Sequence, residues 1–131
     1  MFCGRALAAL TLWGAVAAVA APPLHGDPKA GELVYGRCLA CHALDYDRTG
    51  PRHCGLIGRR AGGVPGFQYS EAMRRSGLVW NEKTLDRFLA NPLKTVPGTA
   101  MGYAGVPDPK ERADLIAYLE AAGRSAVCRK R

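Results

Sequence analysis

Two cysteines and a histidine stand close together in the segment GRCLACHALD, residues 36–45, and their spacing restricts the chemistry open to them. Cys38 and Cys41 are separated by two residues, and His42 follows the second cysteine directly. This pattern occurs in halves of zinc sites, in thioredoxin-like redox pairs and in segments that attach haem. The rest of the chain has to distinguish these three.

The first two alternatives lack supporting residues elsewhere in the chain. A structural zinc site needs four ligands, and no second Cys-x-x-Cys or paired-histidine motif is present to complete one. A thioredoxin-like pair expects a preceding strand and a parallel sheet, and no strand pattern of that kind occurs. Haem attachment explains the whole spacing. Cys38 and Cys41 would lie on adjacent turns and bind the two vinyl groups, while His42 faces the iron.

The first 21 residues, MFCGRALAALTLWGAVAAVAA, have the pattern of a secretory signal peptide, with Arg5 before an apolar run. The run is short and rich in alanine for a membrane-spanning helix, although an uncleaved anchor is an open alternative. The small residues at 18–20 offer a cleavage site before Ala21. We therefore divide the chain into a signal peptide, 1–20, and an exported domain, 21–131, located in the periplasm without stable membrane insertion. Export agrees with haem attachment, which in bacteria takes place outside the cytoplasm.

The charge of the exported domain is clearly positive. The whole chain has 18 basic and 11 acidic side chains, a net charge of +7, and loss of residues 1–20 removes only Arg5 from this balance. The basic residues are scattered and not interleaved with aromatic ones, so the sequence does not indicate a nucleic-acid partner. An acidic protein surface is the expected partner.

Apolar periodicity and capping residues predict an all-α domain. The first helix begins with Asp27 as its cap and Pro28 at its first position, and the last has Asp108 as its cap. The first helix carries an apolar stripe of Ala30, Leu33, Val34 and Cys38. Predicted helices run from 28 to the CLACH motif and over 69–77, 81–92 and 109–123, with loops rich in glycine and proline at 43–67 and 93–107. A loop as long as 43–67 in a small domain is expected to wrap a large ligand.

The order of motifs resembles that of the class I c-type cytochromes, from about Asp27 to Gly123, with a basic tail over 124–131. The segments that carry the resemblance are CLACH, TGP, GLIGRRAG, GFQYSEA, SGLVW, TLDRFLANP, VPGTAM and ERADLIAYL. The resemblance implies the cytochrome c fold, with three main helices and a short one around a single covalently bound haem c. It also implies an iron held by His42 on one side and a methionine on the other.

The resemblance places the second axial ligand at Met101. A methionine in a loop of proline and glycine, outside any helical stripe, is also an unusual choice for a core residue. Met73, on a predicted helix, is interpreted as core packing. Histidine and methionine together leave no open position on the iron, so such a site transfers electrons and does not bind substrate.

The resemblance implies further contacts to the haem. The carbonyl of Pro51 in TGP would accept the second ring proton of the axial histidine. Four side chains would donate hydrogen bonds to the two haem propionates. For the two aromatic ones among them, plain core packing is the alternative role. These four are Arg59, Tyr69, Trp80 and Thr99.

Three positions depart from the family pattern. Phe88 stands where a tyrosine is usual and Met73 where an asparagine is usual, which predicts a dry distal pocket. His53 stands where a leucine normally packs against haem. Because a buried imidazole needs a partner, we expect His53 to turn outward.

Two further cysteines need an explanation in an oxidising compartment. In the family fold the loop after TGP passes near the end of the last helix. The resemblance therefore predicts a disulfide between Cys54 and Cys128. Two unrelated thiols and an intermolecular bridge are the alternatives.

The sequence thus predicts a monomeric, periplasmic, monohaem electron carrier and not an enzyme. Its partners would present acidic docking faces, as a cytochrome bc-type complex, a terminal oxidase, a reductase or a photosynthetic centre could. The family that this chain resembles commonly has a lysine in the methionine loop, but here Ala100 lies beside Met101. The basic patch would therefore have to come from side chains on the middle helices. A haem-based sensor of small molecules and a haem subunit of a larger oxidoreductase are the alternative functions. The five residues expected in the patch are Arg74, Arg75, Lys83, Arg87 and Lys94.

Overall fold

The computed structural model describes residues 25–130 and Met1, and this part of the chain is helical without β-strands. A single antiparallel bridge joins Arg60 and Val79. No helix among these residues is long and apolar enough to cross a membrane. The predicted signal peptide lies outside the described residues. The helices are α1, Pro28–Tyr35, continued by a 3-10 turn, Gly36–Cys38; α2, Glu71–Arg75; α3, Glu82–Ala90; α4, Pro92–Thr95; α5, Pro109–Gly123; and α6, Ala126–Arg129.

The predicted caps form, which explains where the main helices begin. The side chain of Asp27 accepts a hydrogen bond from the backbone N–H of Lys29 at the start of α1. The carboxylate of Asp108 accepts one from the N–H of Glu111, at 2.8 Å, at the start of α5. The Glu111 side chain does not complete a capping box, because it pairs with Arg37 instead.

Helices α1 and α5 cross closely at a glycine. A Cβ atom at Gly31 would overlap the carbonyl group of Asp114 and lie 2.8 Å from the Cβ of Tyr118. The rings of Tyr35 and Tyr118 pack at a centroid distance of 5.0 Å beside this crossing. The first and last helices therefore pack directly against each other, and a glycine permits the close approach.

One core joins the helices, and Leu115 at its centre is only 1% exposed. The predicted stripe of α1 was wrong at one position, because Leu33 is 82% exposed and Gly31 takes part in the packed face instead. The predicted loop 93–107 was wrong at its start. Pro92 ends no helix but begins α4, since its ring suits the first helical position and Asn91 caps the new turn.

Candidate haem site

His42 follows a tight turn at the end of the first helix. The backbone N–H groups of Cys41 and His42 both bond to the carbonyl of Cys38, at 3.1 and 2.9 Å. The imidazole is buried, and its Nδ1 donates to the carbonyl oxygen of Pro51 at 2.7 Å. Burial lowers the pKa of His42, and the bond to Pro51 opposes this in part. The ring is thus neutral at pH 7, with Nδ1 protonated and Nε2 free to donate its lone pair.

Gly50 lets the backbone approach the imidazole face. A Cβ atom at this position would overlap the ring and lie 2.6 Å from each of its two nitrogens. The N–H of Gly50 also bonds to the carbonyl of Cys41, at 2.7 Å, which ties this loop to the CLACH segment. Any side chain at Gly50 would displace the histidine.

Neither of the two motif cysteines takes part in a disulfide among the described residues, and they lie at the edge of the core. Cys38 is partly buried and packs against the core cluster, whereas Cys41 is exposed. Burial raises the pKa of the Cys38 thiol. A thioether sulfur at Cys38 would be apolar and uncharged, so this partly buried position could hold it without burying a charge.

Met101 is placed by the loop between α4 and α5. Its side chain is partly buried against the core, and its backbone N–H bonds to the hydroxyl of Thr99 at 3.3 Å. Thr99 is buried, and its N–H bonds to the carbonyl of Val96. Met73, in contrast, is a buried member of the core on α2. The thioether of Met101 is therefore the one carried by a loop at the core boundary.

Arg59 is a partly buried cation, and one of its nitrogens is buried without a partner. Its two terminal nitrogens donate to the carbonyls of Cys54, at 3.0 Å, and Arg52, at 2.9 Å. Its Nε is buried without any hydrogen-bond partner. Burial lowers the pKa of this guanidinium. Such an orphan donor is expected where an acidic group of a ligand belongs.

The other predicted propionate donors lie in the same core. Trp80 is 7% exposed, its backbone pairs with Arg59, and its ring lies 5.1 Å from that of Phe88. The hydroxyl of Tyr69 accepts a hydrogen bond from the N–H of Val64 at 3.3 Å, and burial raises the pKa of this phenol. Trp80 is thus a member of the core and Tyr69 packs against it, whether or not they also contact a propionate.

His53 turns inward, so the expectation that it would face solvent was wrong. Its ring stacks on that of His42, with centroids 4.3 Å apart and planes inclined by 22°. Its Nδ1 lies 3.1 Å from the hydroxyl oxygen of Tyr35, which is the partner that a buried imidazole requires. Burial lowers the pKa of His53 to about 3, with His42 and then Arg59 as smaller causes, so the ring is neutral.

The sequence reasoning missed Tyr35 and Gly50 as parts of this site. Tyr35 was not among the residues predicted to contact the haem. The signal that could have found it is the unusual histidine at 53, because a buried imidazole has to find a hydrogen-bonding side chain nearby. Gly50 carried its own signal, since it directly precedes Pro51, the residue expected to bind the axial histidine.

Cys54 and Cys128 are paired in the structure, with Cα atoms 5.2 Å apart and a separation of 74 positions in sequence. Helix α6 carries Cys128 back to the loop after Pro51. The predicted basic tail thus contains a short helix, which the sequence reasoning missed because four residues are too few for a periodic pattern.

These residues fit a covalently bound haem. The described residues supply an oriented imidazole, a thioether on a loop, two cysteines spaced for two vinyl groups and a partly buried guanidinium whose buried Nε has no partner. Imidazole and thioether are the axial donors of cytochromes c, and the guanidinium suits a carboxylate.

Comparison with known proteins gives close relatives over most of the chain. Cytochrome c2 of Rhodomicrobium vannielii is 44% identical, covering 85% of this chain and 87% of that protein. Cytochrome c2 of Rhodopila globiformis is 48% identical over 76% and 95%, and cytochrome c of Tetrahymena pyriformis 52% over 73% and 89%. The solved structure of cytochrome cH from Methylobacterium extorquens matches with a TM-score of 0.72 and 43% identity, covering 73% of this chain and 99% of that one. No family model matches.

Proposed function

The chain belongs to the class I c-type cytochromes, and we propose that it is a periplasmic carrier that passes single electrons between larger redox complexes. Members of the family carry covalently attached haem c and are electron-transfer proteins, not enzymes. Haem supplies an iron that cycles between the ferric and ferrous states, and the protein chain supplies the binding, the orientation and the electrostatic environment of the haem.

In this proposal Cys38 and Cys41 would attach the haem through thioether bonds, and His42 and Met101 would bind its iron. The observation that carries it is the 2.7 Å hydrogen bond between His42 Nδ1 and the carbonyl of Pro51. This bond holds the tautomer in which Nε2 has the lone pair, and it raises the basicity of the ring toward a metal. The thioether of Met101 is a soft donor that favours the ferrous state.

The residues around the ligands exclude water and bind the acidic groups of the haem. Arg59 would donate its orphan Nε–H to a propionate, which relieves the cost of burying that nitrogen without a partner. Tyr69, Trp80 and Thr99 are proposed as the further propionate donors. Buried Phe88 adds an apolar wall beside Trp80.

The test of this ligation is the optical spectrum of the purified holoprotein in both oxidation states. We expect a weak far-red band in the ferric protein, which marks sulfur ligation, and no change of the ferrous spectrum when carbon monoxide is added at neutral pH. A missing far-red band together with carbon monoxide binding would contradict electron carriage and favour a sensor.

The proposed docking surface is a groove between α2, α3 and α4 that is lined by Arg75, Arg87 and Lys94. The groove has a volume of about 830 Å³, and no carboxylate lines it. Arg74 and Arg75 contribute less than Arg87 and Lys94, because both guanidinium groups pair with Glu71. Like charges around one groove attract an acidic surface and speed its association.

Stopped-flow oxidation of the ferrous protein by a purified terminal oxidase tests this surface. Arg87→Glu and Lys94→Glu should slow the second-order rate at low ionic strength, and added salt should abolish the difference. Arg124→Glu, at the end of α5, is the matched charge control. Equal losses in all three variants would refute a local docking surface.

A further inference from the structure

A second imidazole packs against the histidine that we assign to the iron. The rings of His53 and His42 stack at 4.3 Å with planes inclined by 22°. The hydrogen bond from His42 Nδ1 to the carbonyl of Pro51 restrains the imidazole at one atom. The ring could still rotate about the line of this hydrogen bond, and only groups that pack on the faces of the ring can limit that rotation. The Gly50 backbone and the His53 ring both lie against this imidazole.

Tyr35 holds the His53 ring in place. Its hydroxyl lies 3.1 Å from His53 Nδ1, and the two rings meet edge to face with centroids 5.6 Å apart. Tyr35 itself is only 3% exposed and lies at the end of α1 within the core. Because a buried phenol has little freedom, the hydrogen bond transmits the rigidity of the core to the imidazole.

The backbone of His53 is tied to the same segment as His42. Its N–H bonds to the carbonyls of Ala43, at 3.1 Å, and Leu44, at 3.0 Å, the two residues that follow His42 in sequence. Cys54, the next residue, bonds to the carbonyl of Leu44 at 2.6 Å. The two imidazoles therefore keep their relative position from the backbone as well as from the side chains.

We propose that His53, held by Tyr35, is a positioning residue that sets the rotational orientation of the His42 imidazole toward the iron. The inference rests on the proposed function, since it takes His42 as the axial ligand. The orientation of an axial imidazole determines which iron orbitals it overlaps, and groups that orient a ligand tune the metal. Simple filling of a core site is the alternative role for His53.

Electron paramagnetic resonance of the ferric holoprotein tests the proposal, because the g values of low-spin haem depend on axial-ligand orientation. Tyr35→Phe keeps the ring and its packing but removes the hydrogen bond. His53→Leu fills the site with the residue usual in the family but removes the stacked ring. Tyr118→Phe is the matched control, because it removes a hydroxyl from the neighbouring ring, 5.0 Å from Tyr35, without touching His53.

We expect the largest g value to shift in Tyr35→Phe and to shift further, in the same direction, in His53→Leu. The control should keep the wild-type g values. If Tyr35→Phe and His53→Leu both give the wild-type g values, His53 only fills space and the proposal is overturned. The far-red band separates this failure from failure of the proposed function. A wild-type protein that shows the band retains its ligands whatever the variants do, whereas its absence would contradict the ligation itself.

Discussion

The guanidinium of Arg37 binds both carboxylate oxygens of Glu111, with N···O distances of 2.6 and 2.8 Å. Arg37 directly precedes Cys38, and Glu111 lies in the first turn of α5. A bidentate pair of this kind has a defined geometry, unlike most surface ion pairs. It therefore links the haem-attachment segment to the last helix.

This pair should make stability depend on pH in the acid range. The hydrogen bond to Arg37 lowers the pKa of Glu111, so the pair stabilises the folded protein above the pKa of an unfolded glutamate, about 4.3, and its contribution disappears as the pH falls through the lower folded value. Glu111→Gln should lower the Tm at pH 7, and its difference from the wild type should shrink as the pH falls below about 4.3 and Glu111 becomes protonated. Thermal unfolding from pH 7 to pH 2 measures this.

Glu120→Gln is the control for the loss of one negative charge, since no ion pair of Glu120 is found among the described residues. Added salt should also reduce the effect of Glu111→Gln, because both partners of the pair are partly exposed. A difference in Tm that is constant across the pH range would contradict an electrostatic origin.

Gly31→Ala should destabilise the protein by about 1–3 kcal/mol, because the new methyl group overlaps the carbonyl of Asp114 where α1 and α5 cross. Gly36→Ala is the matched control, since no atom lies within 4 Å of a Cβ there and the backbone is right-handed. The control should be neutral or more stable by up to about 1 kcal/mol. Denaturant unfolding of both variants tests whether packing, and not loss of a glycine in general, decides the result.

Cys54→Ser should lower the free energy of unfolding by about 4 kcal/mol if the bond to Cys128 forms, because a cross-link over 74 residues restricts the unfolded chain. Alkylation under denaturing, non-reducing conditions followed by mass measurement tests the bond directly. The monomer should take up no alkyl group before reduction and two after it. Two alkylatable thiols before reduction would show that the pair is not bridged.

Variants of Met73 and Met101, the two methionines among residues 25–130, should separate ligation from packing. Met101→Ala should abolish the far-red band and let the ferrous protein bind carbon monoxide, since it opens the sixth position of the iron. Met73→Ala should keep the band and lower the free energy of unfolding by about 2–5 kcal/mol, because it leaves a cavity in the core. Absorption spectra and unfolding curves of both variants provide the comparison. Loss of the band in Met73→Ala alone would reverse the assignment.

Features that depend only on residues close together in the sequence could be predicted without a structure. The caps Asp27 and Asp108 and the spacing of CLACH act over one helical turn, so their residue types predict what they do. The predicted helix ends were wrong where only a few residues indicate the end of a helix. Pro92 reads equally well as the end of one helix and the start of the next, and only the cap at Asn91 distinguishes the two.

The sequence by itself therefore determined the all-α class, the haem motif and the family. Only the tertiary structure decided the orientation of His53, because desolvation disfavours a buried imidazole until a partner is known, and Tyr35 is 18 residues away along the chain. It likewise decided that Glu111 binds Arg37 and not its own helix cap, and that Leu33 faces outward while Gly31 is packed. Each of these depends on which helix lies opposite, and local residue patterns carry no such information.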